Sequence, residues 1–260
     1  MKRLLCLVLL LLPGPALYAK TPAALEQDLV RQAKRISYWA DYADDAPGLN
    51  PADSLARANA GLRRLLLAYT AAEPATLTYA FARLRQEHVT IATSADGRLR
   101  IYSWDTRQGG TMRFFANVFQ YRAGGGVVRS RALPRPATDA GQEYIDIFAV
   151  PRGTQTCYLA YSQAVYSSHD CYQQVKGFAL ESGRLNPDAR LIRTGSGLRN
   201  TLGFAFDFFS VAGRPERPVR LIGYDPKTRV LTLPVVWADG RVTEKKIRYV
   251  FDGVVFGKAK

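Results

Sequence analysis

The spacing of apolar residues changes near residue 88, and this change most constrains the fold. Before it, apolar residues recur three or four positions apart, which is the repeat of an amphipathic helix. After it, apolar and polar residues alternate, which is the repeat of a β-strand with one buried face. We therefore predict a helical N-terminal region over 20–87 and an antiparallel β domain over 88–260.

Two helices are predicted at the start of the helical N-terminal region. Thr21-Pro22 and Asn50-Pro51 each place a capping side chain before a proline, which favours the first turn of a helix. Apolar stripes follow both starts, and a weaker pattern over 76–86 indicates a third helix. The stripes comprise Leu25, Leu29, Ala33, Ile36 and Ala40 in the first helix, and Leu55, Ala58, Leu62, Leu65, Leu66 and Tyr69 in the second.

About a dozen short strands joined by tight turns are predicted after residue 88. The first two, 89–94 and 98–104, flank Asp96-Gly97, a dipeptide typical of hairpin turns. A meander of this kind suits a sandwich, a barrel or a propeller-like array. The strands fall into three groups, 88–133, 142–194 and 202–256, which is the spacing that propeller blades would have, although three blades do not close a ring. A non-repeating antiparallel β domain is the favoured alternative to such a repeat.

The first nineteen residues have the layout of a secretory signal peptide. Lys2 and Arg3 precede an apolar run over 4–12, and Pro13, Gly14 and Pro15 end it. That run is too short to span a bilayer, which takes about 20 residues. We therefore expect residues 1–19 to be a cleaved leader, the mature chain to have no transmembrane segment, and its location to be the periplasm, the cell surface or the medium.

The chain is strongly basic. Its formal charge of +14 becomes +12 once Lys2 and Arg3 leave with the leader. Such a charge attracts anionic surfaces, among them acidic polysaccharides. Nucleic acid is not expected as a partner, because an exported protein does not normally meet it. The basic residues are scattered, so a general solvated surface is the alternative interpretation.

Two cysteines, Cys157 and Cys171, remain after the leader is removed with Cys6. An even pair in an oxidising compartment predicts a disulfide bond. The spacing is neither that of a redox Cys-x-x-Cys motif nor that of a zinc site.

Signatures of catalysis are scarce. The sequence has no phosphate-binding loop, zinc-protease motif or serine-hydrolase elbow, and we expect no cofactor and no metal. The run Ser167-Ser168-His169-Asp170 suits a nucleophile with its base, or a plain turn. Five carboxylates are candidates for paired acid and base chemistry if the fold brings two of them together. They are Asp105, Glu143, Asp146, Asp207 and Asp225.

The predicted strand over 98–104, in which apolar residues alternate with arginine and aromatic residues, carries the residues most typical of a binding site. Leu99 and Ile101 face one side of the strand over 98–104, and arginine and aromatic side chains face the other. A flat ring beside a guanidinium suits a sugar or an anion. The predicted ligand-binding residues are Arg98, Arg100, Tyr102 and Trp104, with Arg113 on the next predicted strand, 112–122. The alternative is a sheet buried on both faces.

These features predict an exported, non-catalytic binding module for an acidic or carbohydrate ligand of the cell envelope, with anionic polysaccharide as the expected partner. One alternative is a hydrolase of envelope polysaccharide or peptide. Another is a structural or assembly subunit of a surface complex.

Overall fold

The computed structural model describes residues 20–42, 48, 50–136 and 138–259, so the predicted leader lies outside the described residues. The fold is mainly β with antiparallel sheets and a helical N-terminal region, which confirms the predicted class. The sheets stay open and form no closed barrel among the described residues. None of the described helices is both long and apolar enough to cross a membrane.

Both predicted helix starts are confirmed. Helix α1 is Pro22–Ala40 and α2 is Pro51–Ala72, and each begins with a proline after its capping residue. The Thr21 hydroxyl accepts from the amide of Ala24, and the Asn50 side chain accepts from the amide of Asp53. These bonds satisfy backbone donors that a helix leaves unpaired at its start.

The third predicted helix is shorter than its pattern suggested. A 3-10 helix, Pro74–Leu77, is followed by α3, Ala82–Gln86. The carboxylate of Glu26 on α1 accepts from the backbone amides of Arg83 and Leu84 at 2.9 and 3.1 Å. A side chain from another helix therefore caps α3, which no local pattern could reveal.

Fifteen strands form three sheets in the described chain. The first sheet has the order β1-β2-β3-β4, the middle sheet β11-β7-β6-β5 with β8 beside β7, and the outer sheet β10-β9-β15-β14-β13-β12. The strands are β1 Val89–Thr93, β2 Leu99–Asp105, β3 Phe115–Arg122, β4 Val128–Arg131, β5 Glu143–Arg152, β6 Gln155–Val165, β7 Asp170–Glu181, β8 Arg184–Asn186, β9 Ile192–Thr194, β10 Gly197–Arg199, β11 Thr201–Asp207, β12 Gly223–Asp225, β13 Val230–Val236, β14 Val242–Phe251 and β15 Phe256–Lys258.

The three strand groups seen in the sequence are not three blades. The first group does form the first sheet. However, β9 of the second group joins the outer sheet together with β10, which lies between the second and third groups, and β11 of the third group joins the middle sheet. β9 also pairs in parallel with β15, which an independent antiparallel blade would not allow. The blade-like repeat is therefore wrong, since strand order is set by long-range pairing.

The helices and sheets stack as layers with shared apolar cores. One face of the first sheet packs against α1 and α2 around Leu62 and Tyr102. Its other face, with Leu99 and Ile101, packs against Phe178 of the middle sheet. The second face of the middle sheet packs against the outer sheet. Both faces of the first and middle sheets are thus covered.

The predicted disulfide bond is wrong. Cys157 lies opposite Ala179 and Cys171 lies opposite Val165 in the β6–β7 hairpin, so the two cysteines occupy opposite ends of it. At the rise of a strand their separation is about 25 Å, whereas a disulfide needs Cα atoms within about 7 Å. Both cysteines are free and buried.

Both thiols are expected to react slowly in the folded protein. Burial raises the pKa of Cys157 and of Cys171, so little reactive thiolate forms near neutral pH. In the chain without residues 1–19, an aromatic disulfide reagent should titrate two thiols after unfolding, without a reductant. Fewer than two in the denatured, unreduced protein would contradict the free-thiol assignment.

Candidate functional site

The predicted aromatic and arginine face exists, but helices cover it. Arg100, Tyr102 and Trp104 share one side of β2, as the alternation predicts, and their exposed fractions are 3%, 0% and 3%. They lie between the first sheet and the helices, so they offer no open platform to a ligand. Arg98, which precedes β2, stays exposed.

The polar atoms of this face bond within the protein. The guanidinium of Arg100 donates to the carbonyls of Thr76 and Tyr79 at 2.7 and 2.6 Å. The indole N–H of Trp104 donates to Asn59 Oδ1 at 2.9 Å. Buried polar groups need such partners. The alternative interpretation, a sheet buried on both faces, therefore describes these residues.

A cleft of about 520 Å³ opens at the end of the first sheet where β1 begins and β2 ends. We call it the helix–sheet cleft. Trp104 contributes to its wall, and His88, which is exposed, stands at the start of β1. The charged residues that line the cleft are Arg85, Arg107, Arg113, Glu87, Asp105 and Glu143.

Neighbouring groups hold the carboxylates of the helix–sheet cleft. Glu143 Oε1 accepts from the Thr90 hydroxyl at 2.5 Å, and its Oε2 accepts from the Gln163 amide at 2.8 Å. Asp105 Oδ1 accepts from the backbone amide of Arg107 at 2.9 Å. These carboxylates therefore keep a fixed orientation toward the cleft.

The arginines of the cleft differ in how firmly they are held. Arg85 donates to the carbonyls of Ala80 and Ile91, and burial, with the charge of Arg100, lowers its pKa. Arg107 pairs with Asp41. Arg113 forms a looser ion pair, with its Nε 3.9 Å from Asp105 Oδ2 and beyond hydrogen-bond distance, and 58% of its side chain is exposed. Arg113 is therefore the arginine best placed to meet an incoming anion.

Only two of the five candidate carboxylates share the cleft. Asp105 and Glu143 line it, whereas Asp146 pairs with Arg220 at 2.9 Å. Asp207 accepts from the Phe209 amide, and Asp225 accepts from the amide of Lys227 and the hydroxyl of Thr228 in a turn. The fold thus brings Asp105 and Glu143 together and separates the rest from them.

The His169 run forms a turn. The hydroxyl of Ser167 donates to Asp170 Oδ2 at 2.9 Å and accepts from the amides of His169 and Asp170. His169 Nδ1 lies 3.4 Å from Asp170 Oδ1, and its Nε2 lies 3.7 Å from Asp207 Oδ1. The serine hydroxyl faces a carboxylate and not the imidazole, so this geometry is that of a turn.

Sequence reasoning missed Arg85, Glu87, His88 and Arg107 as cleft residues. Nothing in their spacing links them to Glu143, because the middle sheet must dock before these segments meet. The one available signal was the change of periodicity near residue 88, which marks the junction where the cleft opens. Among the described residues, no group of three or more histidine, cysteine, aspartate or glutamate side chains is placed to hold a metal ion.

A second cavity of about 440 Å³ lies between the first and middle sheets. Arg63 and Arg135 line it together with Lys176, and burial lowers the pKa of Lys176. No predicted site residue lines it.

No family model matches this chain, and neither a curated protein nor a solved structure matches it.

Proposed function

We propose that the chain is an exported, non-catalytic protein that binds an acidic or carbohydrate ligand of the cell envelope in the helix–sheet cleft. The observation that carries the proposal is Arg113, a predicted binding residue whose guanidinium stands exposed at a cleft of about 520 Å³. Ligand sites in proteins commonly measure about 300 to 1,000 Å³.

The cleft's chemistry suits a ligand with both an acid group and hydroxyl groups. A guanidinium binds a carboxylate or sulfate through two parallel hydrogen bonds. The fixed carboxylates of Asp105 and Glu143 accept hydrogen bonds and so complement sugar hydroxyls. The basic charge of the whole chain would attract such a ligand before it reaches the cleft.

Replacing Arg113 with alanine is expected to weaken binding of a short uronic-acid oligosaccharide about tenfold, or about 1.4 kcal/mol. The reason is the loss of a charge-assisted bidentate contact. Titration calorimetry at two salt concentrations measures this change. Arg64→Ala, which removes the same charge from an exposed position on α2, is the matched control.

Equal weakening by both variants would mean general charge attraction and would contradict a site in the cleft. Binding by wild type that Arg113→Ala leaves unchanged would also contradict it. Arg113→Lys should not restore binding, because a lysine offers a point charge where arginine offers a planar fork.

A hydrolase is the second candidate, because Asp105 and Glu143 line the same cleft. Such a pair can divide the roles of acid and base in glycoside hydrolysis. Cleavage of the same oligosaccharide by wild type, lost in Glu143→Gln with binding retained, would establish this function in place of the first.

A further inference from the structure

Across strands β9, β15 and β14, the outward side of the outer sheet is open and carries basic side chains. Residues 247, 249 and 251 of β14 turn inward and contact the shared core. The alternate positions turn outward and are exposed. We call the part of the outward set around Gly257 the cationic sheet face, and it comprises Arg193, Leu198, Lys246, Arg248, Val250 and Gly257. Two acids border it on the same side of the sheet: Glu244, two residues before Lys246 on β14, and Asp225, whose partner Val230 pairs with Val250.

Strand pairing places these residues in one continuous surface. Leu198 pairs with Arg193, Arg193 with Gly257, and Gly257 with Val250, so four strands contribute one row. Paired residues project on the same side of a sheet. Arg248 lies one outward position from Val250 on the same strand. The face is thus built by register across strands and not by one sequence motif.

The described chain does not cover this face. A Cβ atom built on Gly257 meets no heavy atom within 4 Å. The side chains of Leu198 and Val250, on either side of it in the row, are 42% and 41% exposed. Two apolar residues therefore flank a flat, accessible centre.

The charge of the face is complementary to an anion. Arg193, Lys246 and Arg248 all project from it. Asp252, in the turn after β14, accepts from the backbone amides of Val254 and Val255 at 2.8 Å each. Those bonds, together with the charge of Arg193, lower the pKa of Asp252. The carboxylate of Asp252 is thus held by the turn near Arg193, and Lys246 and Arg248 have no such acid beside them in the turn.

The spacing favours a polymer over a single small anion. Arg193 and Arg248 lie two strands and two residues apart, which is about 12 Å at the usual dimensions of a sheet. One sugar acid cannot reach both cations, whereas a chain with repeated acid groups can. A bilayer is a poorer fit, because no aromatic residue stands at these outward positions to anchor in the membrane interface.

We propose that the cationic sheet face binds an acidic polysaccharide that lies flat across strands β9, β15 and β14. This surface is separate from the helix–sheet cleft, whose lining residues it does not share. The choice of polysaccharide among polyanions rests on the proposed export of the chain. Binding uses charge pairing along the polymer, with Leu198 and Val250 contacting the less polar faces of the sugar rings.

Gly257→Glu tests this proposal directly, since it places a carboxylate at the centre of the face where the side chain has room. The probe is a long polyuronate immobilised on a sensor surface, with the mature protein in solution. Gly257→Glu is expected to weaken retention at least tenfold. Gly213→Glu makes the same charge change in a loop where a Cβ is also unobstructed, and it should weaken retention less than threefold.

Neither added Cβ meets a neighbouring atom, so both glycine variants are expected to fold. Their melting temperatures, compared with that of wild type, check this. The double variant Arg193→Gln, Arg248→Gln should reproduce the loss without adding an acid. Equal losses in the two glycine variants would overturn the proposal, because they would reveal attraction by total charge alone. If Arg113→Ala lost retention on the polyuronate and Gly257→Glu kept it, the proposal would also be overturned, because the polymer would then occupy the cleft.

Vesicles containing phosphatidylglycerol form the last arm of the experiment. If the face recognises polysaccharide, wild type should bind polyuronate at a salt concentration where it no longer binds these vesicles. The assignment to polysaccharide would be overturned if wild type bound the vesicles but not the polyuronate, and if Gly257→Glu abolished the binding to vesicles. The cleft is tested with a short oligosaccharide and Arg113→Ala, so failure of one proposal leaves the other measurable.

Discussion

Replacing Trp104 with alanine is expected to lower the free energy of unfolding by about 3 to 5 kcal/mol, as for other large buried aromatic residues. Trp104 is only 3% exposed and lies in the core between the first sheet and the helices. The substitution removes its apolar contacts and leaves Asn59 Oδ1 without its indole donor. An unpaired buried acceptor adds to the cost of the cavity.

Urea denaturation monitored by circular dichroism measures this loss. Trp237→Ala is the matched control, because Trp237 is 54% exposed and its ring stacks with Arg241 at 4.5 Å. The control should cost about 1 kcal/mol or less. If Trp104→Ala cost no more than Trp237→Ala, Trp104 would not be a core residue, and the open binding face would regain support.

Replacing Arg100 with methionine is expected to lower the free energy of unfolding by about 3 kcal/mol or more. The guanidinium is the donor to the carbonyls of Thr76 and Tyr79 and to the hydroxyl of Thr93. Methionine fills much of the volume but donates no hydrogen bond. The Thr76 carbonyl then keeps only the Tyr102 hydroxyl at 3.4 Å, and the part-buried acceptors of Tyr79 and Thr93 lose the guanidinium. Each orphaned buried acceptor costs about 1 to 3 kcal/mol.

Chemical denaturation of three variants separates this effect from loss of charge. Arg98→Met removes the same charge from an exposed neighbour and should change stability by about 0.5 kcal/mol or less. Arg100→Lys should recover only part of the loss, because an ammonium cannot reproduce the planar set of donors. Equal effects of Arg98→Met and Arg100→Met would show that the bonds of Arg100 contribute little.

Local interactions explain what was predictable in the fold. A capping side chain followed by proline acts within one turn of chain, so the starts of α1 and α2 follow from residues 21–22 and 50–51 alone. The Asp96-Gly97 turn likewise fixes the register of the first hairpin, in which Thr93 pairs with Arg100. Both features follow from short stretches of sequence, although the Tyr158 hydroxyl also donates to Asp96 Oδ2 at 2.8 Å in the folded protein.

The predicted site shows where local reasoning stops. Successive side chains of a strand point to opposite faces of the sheet. Alternation along β2 therefore separates the apolar pair, Leu99 and Ile101, from the other set, Arg100, Tyr102 and Trp104. Alternation does not reveal what packs against each side. The helices cover the polar and aromatic face here, so Trp104 meets the cleft only as a buried wall residue, and Arg113, beyond the covered part, is the exposed predicted residue at the cleft.

The disulfide prediction was wrong for a related reason. An even number of cysteines in an exported chain predicts a bond only if the fold brings the two sulfurs together. Residues 157 and 171 are close in sequence, but the long β6–β7 hairpin places them at its opposite ends. Strand length, which depends on the partners on both sides, decided their separation.

The sequence by itself determined the class of the fold, the starts of two helices, the first hairpin and the strongly basic charge. These properties depend on backbone propensity, turn chemistry and composition, which act over a few residues. The tertiary structure decided which face of the first sheet is covered, which strands exchange between sheets, and where arginines and carboxylates meet. Those outcomes depend on burial of apolar surface and on hydrogen bonds between distant segments, and such contacts exist only once the layers have packed.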